Sequence, residues 1–368
     1  MAGPSDHIAL AVALDGTGWH PASWRDADAR PTELTTPRYW ADLVTEADAA
    51  RLDFVTIEDG LGPQSDDPTR AQGRLDAVLI AARVAPLTSG VGLIPTVVVT
   101  HTEPFHASKA IATLDYVSTG RAGVRLQVTG SPEVAGHFGR RDVAGADLLG
   151  EAADYAEVLR RLWDSWEDGA EIRDAATGRF IDRNKLHYID FEGPQFSVRG
   201  PSITPRPPQG QPVIAALGHV PAAYELIAAQ ADVGFITPGG PAGTPAVVSA
   251  VEPALAFVDL VVFLADSDAE AQSRRARLDE QAGSEYRSDA GIFVGTPAGL
   301  ADLLQEWQAT GVTGFRLRPA TAPHDLLQIT RGLVPELRSR GLFRDDYAET
   351  TLRERLGLTR PANRYATV

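Results

Sequence analysis

Several apolar runs in this 368-residue chain are followed directly by groups able to do chemistry. Asp15, Trp19, His20, Trp24 and Arg25 follow the run HIALAVAL (7–14). Glu58 and Asp59 close the run DFVTIED. Thr96, Thr100, His101 and His106 lie in and after SGVGLIPTVVV. Arg125, Gln127 and Thr129 lie within RAGVRLQVTG; Gly218 and His219 follow PVIAAL; Thr237 ends DVGFIT and Gly239 follows it. Aromatic rings, imidazoles and hydrogen-bonding groups gathered in this way suit a large, flat, partly apolar ligand with polar edges. Taken singly, each has a plain structural use. His106 can cap or pack at a helix start, Asp59 before Gly60 can be a turn residue, and Trp19 and Trp24 can pack a long loop.

Other chemistries lack their residues. There is no cysteine, which removes thiolate catalysis, disulfides and Cys-based metal sites. No HExxH pattern is present, and His101 and His106 stand five apart across a loop, so no metal site is expected. A GxSxG elbow and a Walker A loop are both missing. The net charge of −15 argues against nucleic-acid binding, which needs basic surface. The N-terminus has no basic region before its short apolar run, and no apolar run is long enough to span a bilayer. A cytoplasmic protein without membrane or nucleic-acid partners is the expectation.

The elements that must position these groups alternate. The runs beginning at 7, 53, 89, 121, 212, 232, 258 and 312 have strand length and composition. Between them lie helical patterns, such as PRYWADLVTEADAARL with Trp40, Leu43, Val44 and Ala47 on one face. AVVSAVEPALAF (246–257) reads as the helix before the seventh strand. Parallel strands need crossovers, and eight strand–helix units predict an α/β fold, a closed (β/α)8 TIM barrel formed by one domain over 1–368. An open doubly wound sheet is the alternative, but no GxGxxG follows the first strand. Residues 168–211, rich in Gly, Pro and Asp, read as an excursion with a small hairpin. The polar tail 343–365 reads as wrapping the surface. In the fourth strand Val124, Leu126 and Val128 alternate with Arg125, Gln127 and Thr129, so the polar row faces the barrel mouth and the apolar row the helices. Chemistry in such barrels sits at the C-terminal ends of the strands, where the reactive residues listed above fall.

The chain resembles the bacterial luciferase-like flavin-dependent monooxygenases, in the branch of nitrilotriacetate and dibenzothiophene-sulfone monooxygenases. The resemblance runs nearly end to end, through GWHPASWR, EPFHASKAIATLDYVSTGRAG, HFGRR, YAEVLRRLWDSW, FIDRNKLHYIDFEGPQFSVRGPSITPRPPQGQPVIAALG, GTPAGLADLLQEWQATGVTGFRL and VPELRSRGLFRDDYAETTLRERLGL. It implies a barrel that binds reduced FMN supplied by a separate flavin reductase and uses O2 to oxygenate a small organic substrate. It also implies a homodimer, formed through helices near the second and third strands. Relatives outside the branch use a deazaflavin and transfer hydride, so a deazaflavin-dependent oxidoreductase is one alternative; a non-catalytic flavin-binding or structural barrel is another.

Carried over by position, the resemblance makes His20 and Trp24 the active-site loop, with His20 a proton donor or stabiliser of the oxygenated flavin. Asp59 and Thr96 lie where the second and third strands meet the flavin ring. Arg125 stands where the branch has Asn, with Gln127 two residues on. Leu149 stands where the branch has Tyr. The loop Ala216–Val220 lacks both hydroxyls expected to face the phosphate; His219 and Arg125 are the candidates that replace them by charge, and Gly218 is a further cofactor-binding candidate. The long insertion of the branch after the seventh strand is shortened here to LDEQAGSEYRSDAGIFVG (278–295).

Overall fold

The apolar runs form eight parallel strands that close on themselves. They are β1 Ala9–Leu14, β2 Phe54–Ile57, β3 Gly92–Val98, β4 Gly123–Gln127, β5 Val213–Gly218, β6 Val233–Ile236, β7 Leu255–Leu264 and β8 Gly314–Pro319. Each pairs with the next in chain order, and β8 pairs with β1 through Ala9↔Gly314 to Val12↔Leu317. The molecule is therefore a (β/α)8 barrel, as its alternation predicts. This computed structural model describes residues 7–366. Among the described residues, no helix is long and apolar enough to cross a membrane.

Helices α1 Pro37–Ala49, α2 Ala77–Val84, α3 Pro104–Val117, α4 Pro132–Phe138, α5 Leu148–Asp164, α6 Pro221–Gln230, α7 Thr244–Val251 and α8 Asp268–Ala282 lie between the strands. In α1, Trp40, Leu43, Val44 and Ala47 are buried, matching their spacing. Val124 and Leu126 of β4 pack with Ile111, Tyr155 and Leu159 from α3 and α5. Along the barrel axis, polarity changes. The lower end is filled by Ala11, Phe54, Ile94, Ala215, Phe235 and Phe257. Toward the strand C-termini, Arg125, Asp259, Arg316 and Arg318 are buried in their place.

Four features differ from the reading of the sequence. First, α7 stops at Val251 and β7 starts at Leu255, inside the stretch read as helical. Pro253 has no N–H to continue a helix, and the amide of Leu255 joins the carbonyl of Asp232. Second, the shortened insertion contains a ninth strand, Gly291–Gly295, paired with Leu260–Leu264 of β7. β7 thus pairs with β8 along Phe257–Val262, with β6 along Leu255–Val258 and with the added strand along Leu260–Leu264. Third, the excursion carries two hairpins, Glu171–Asp174 with Arg179–Ile181 and Phe191–Glu192 with Ser197–Val198. Fourth, the tail does not simply wrap the surface. Leu352 is fully buried beside Phe54 and Phe257 and closes the N-terminal end of the barrel. Arg355 ties the tail to the carbonyls of Asp53 (3.1 Å) and Gly90 (2.6 Å). Thr351 and Glu354 form a capping box that starts the short helix Leu352–Arg355.

One buried carboxyl below the barrel sets a pH dependence. Asp115 in α3 accepts from the Gln209 amide groups and the Ala122 N–H. Burial raises its pKa to about 6, against those hydrogen bonds. The unfolded chain loses this proton near the ordinary aspartate pKa, and the folded chain holds it to about 6. Stability from this group therefore falls as pH rises across that window. Two units correspond to about 3 kcal/mol. Urea unfolding of wild type and Asp115→Asn at both ends of the window should show a difference that shifts in the variant's favour as pH rises. A pH-independent difference would contradict the assignment.

Candidate active site

The site is built from the residues at the C-terminal ends of the strands. Asp15 follows the last residue of β1. The chain then turns through Gly18, which has a φ of +128° and lies so close to the Ala320–Thr321 backbone that a Cβ would sit 2.4 Å from the Ala320 carbonyl oxygen. This close approach brings Trp19 and His20 back over the barrel. The Trp19 indole donates to the Ala13 carbonyl (2.9 Å) and lies under the Arg318 guanidinium, 4.4 Å from its ring centre. A cavity of about 510 Å3 opens here. Asp15, Trp19 and His20 line it with Asp59, Gln127, Thr129 and the loop from Gly60 to Arg74. A deeper cavity of about 250 Å3 adjoins it, sharing Asp15, Trp19, Asp59, Arg74 and Gln127 and reaching Glu58, Arg125, Leu217, Asp289 and Arg318.

A chain of alternating charges forms the floor. Arg125 Nη1 donates to Glu58 Oε2, to Thr96 Oγ1 (3.0 Å) and to Gln127 Oε1 (3.0 Å). The other oxygen of Glu58 accepts from Arg316 Nη1 at 3.2 Å. Asp259 then accepts from both Arg316 and Arg318, and Arg318 reaches Asp289 at 2.6 Å. Three arginines face three carboxylates, so the floor is charged in detail and neutral in sum. Burial would raise Asp259, but the two guanidinium groups outweigh it and hold its pKa low. Burial also opposes ionisation of Asp289, and Arg318 holds it down to about 2. Among the described residues, the Arg125 Nε is buried without an acceptor, an orphaned donor at the floor.

The sequence candidates divide into two groups. His20, Asp59, Arg125 and Gln127 meet at the mouth, with Thr96 just beneath. His20 is buried. Its Nδ1 accepts from the Ala22 N–H (3.1 Å), so its Nε2 carries the proton toward Asp279 (3.1 Å). Burial lowers its pKa despite Asp279, and its ring packs on Tyr286 and Phe263. Both carboxylate oxygens of Asp59 accept backbone N–H groups, from Gly60 (2.7 Å) and Ala77 (2.9 Å), which fastens α2 to β2. Burial raises its pKa against those bonds.

Trp24, Gly218 and His219 lie apart from both cavities. The Trp24 indole donates to the Thr69 carbonyl (3.0 Å) and anchors the loop that walls the larger cavity. A Cβ on Gly218 would meet Ile227 and Tyr224, so this glycine serves packing against α6. His219 is exposed at the start of α6. Asp259, Arg316, Arg318, Asp289 and Arg74 belong to the site and were not singled out from the sequence. The alternation in GFRLRP, the same as in GVRLQ, is the signal that marks two of them.

Comparisons with known proteins bear on the family and the fold. A family model described as luciferase-like monooxygenase matches residues 18–286. An N-acetyl-S-(2-succino)cysteine monooxygenase from Bacillus subtilis (strain 168) is 32% identical over 440 aligned residues, covering 100% of each chain. Component A of nitrilotriacetate monooxygenase from Aminobacter aminovorans is 28% identical over 449, covering 99% of each. In fold, the chain is similar to the EDTA monooxygenase from Chelativorans sp. BNC1, with a TM-score of 0.85, 21% identity and coverage of 96% and 99%. It is equally similar to a riboflavin lyase solved with modified FMN and riboflavin, with a TM-score of 0.85, 23% identity and coverage of 95% and 96%.

Proposed function

The chain belongs to the luciferase-like monooxygenase family and is an oxidoreductase of that family, and from this premise we propose that its barrel mouth takes reduced FMN from a separate flavin reductase and uses O2 to oxygenate a small organic substrate. The observation that carries this reading is the paired cavity at the strand C-termini, with rings and aliphatic groups on its walls and hydrogen-bonding groups at its edges. Its residues fit a flavin. Trp19, Leu61, Val98 and Val134 offer apolar surface to a flat ring, and Asp59, Gln127 and Thr129 offer polar edges. The orphaned Arg125 Nε lies at the floor and suits an acceptor on such an edge. The phosphate of a mononucleotide would be held at the rim by Arg70, Ser65 and Ser131, since the loop after β5 lies elsewhere.

When bound, reduced flavin supplies two electrons and activates O2. The protein does the rest. Trp19 and the loop Gly60–Arg74 shield the ring from bulk water. The neutral charge chain below fixes Gln127 and Arg125 in place. His20 and Asp279 hold the loop after β1 against α8. The Aminobacter relative is named as a component A, which supports the two-component reading. Leu79 in α2, Leu87 just beyond it and Tyr116 and Val117 in α3 are exposed, which supports a homodimer formed through this face.

The test supplies reduced FMN anaerobically, adds the compounds named for the two relatives, and admits isotopically labelled O2. One labelled oxygen atom should enter a product. Hydride transfer to a substrate without oxygen uptake would replace this reading with a deazaflavin-type one.

A further inference from the structure

Oxygen transfer needs a group at the mouth that gives and regains a proton, and the structure narrows the choice. His20 uses both ring nitrogens in fixed hydrogen bonds. Asp59 uses both oxygens on backbone amides. Glu58 and Asp289 are each bonded through both oxygens to arginines. Glu133 is exposed at the rim. Asp15 differs from all of these. It stands one residue beyond β1, where catalytic groups of such barrels lie, and lines both cavities. Its Oδ1 is tethered by Arg74 Nη2 at 2.8 Å. Its Oδ2 has no partner among the described residues.

Resting on the flavin reading above, we propose that Asp15 is the catalytic residue that carries a proton at Oδ2, and that Arg74 positions it. The overall reaction joins substrate, O2 and reduced FMN to give oxygenated substrate, water and FMN. Reduced FMN brings two electrons and two protons. Asp15 gives its proton to the oxygen atom leaving as water and regains one of the two that the flavin brings, so it ends as it began. Without substrate, the same proton goes to oxygen leaving as hydrogen peroxide, and reduced FMN and O2 become FMN and H2O2. The groups facing Asp15 are Arg74 from the loop before α2, Glu58 and Asp59 after β2, Arg125 from β4, Arg318 from β8, and Tyr286 and Asp289 from the segment after α8. Burial raises its pKa, Arg74 opposes this, and Glu58 adds to the rise. A carboxyl so placed keeps its proton at higher pH than an ordinary aspartate.

Three measurements test this. Infrared difference spectra of the flavin-free protein across pH should show a protonated carboxyl that Asp15→Asn lacks. Asp15→Asn should bind reduced FMN as wild type does. On mixing with oxygen, its bound flavin should re-oxidise about 10²–10⁴-fold more slowly, without the pH dependence of wild type, and Asp15→Glu should restore that dependence. A carboxyl signal that survives in Asp15→Asn, or re-oxidation with the wild-type pH profile, overturns the role of Asp15 alone. Failure of wild type to bind reduced FMN overturns the functional reading and this role together. If Asp15→Asn does not fold, Arg74→Gln serves. It should move the carboxyl titration to higher pH, and an unmoved titration overturns the pairing.

Discussion

Asp259→Ala should destabilise the protein by about 3–5 kcal/mol, the cost of leaving a buried charge without its partner. Asp259 is fully buried, and its two oxygens take four hydrogen bonds from Arg316 and Arg318. Its removal leaves two guanidinium charges inside the barrel. Arg318 keeps Asp289, but Arg316 keeps only Glu58 and Thr56, each at 3.2 Å. Stacking of Arg316 on the Phe235 ring, 3.9 Å from its centre, cannot replace a full countercharge. Asp259→Asn keeps an acceptor and should lose less. Urea unfolding measures both. A loss below about 1 kcal/mol for the alanine variant, the scale of an ordinary surface change, would show that the charge chain is not a unit.

Arg125→Ala should act on stability and on ligand affinity. Its guanidinium is the partner of Glu58 Oε2, and without it Glu58 relies on Arg316. A loss of about 2 kcal/mol is expected, less than for Asp259 because one countercharge remains. Gln127 also loses the donor that fixes its side chain, at the point where the two cavities meet. Affinity for reduced FMN should fall about tenfold, or about 1.4 kcal/mol. Arg125→Lys keeps the charge but not the forked donor geometry, and should recover stability better than affinity. Unchanged affinity in a stable alanine variant would remove Arg125 from the site.

Much of the fold was legible because each buried strand needs an apolar run and each crossover a helical period. Seven of the eight barrel strands fall within runs visible in the sequence, and β7 begins at Leu255, three residues before its run. The misreadings have local causes. AVVSAVEPALAF has helical residues up to its proline, and only the proline marks the change to β7. GIFVG is short and glycine-bounded, so the ninth strand gives little signal. The tail reads as polar because arginines surround Leu352, and those arginines serve buried carbonyls.

The site was legible by position and not by partner. The polar row of β4 showed which side of the strand faced inward. That Arg125 meets Glu58, 67 residues away, and that Glu58 meets Arg316, 258 residues away, follows only from closure of the barrel. The same holds for Arg74 and Asp15, 59 residues apart. His20 was chosen for its chemistry, but the backbone amide of Ala22 and the carboxylate of Asp279 occupy both nitrogens. Asp15 lines the same cavity, and its Oδ2 has no partner among the described residues.

The barrel mouth is expected to hold reduced FMN. Anaerobic titration of the purified protein with reduced FMN, and separately with a reduced deazaflavin, measures this. Saturable one-to-one binding of reduced FMN, weakened by Arg125→Ala and stronger than deazaflavin binding, is the predicted result. Binding of neither flavin would rule out a flavin site at this mouth.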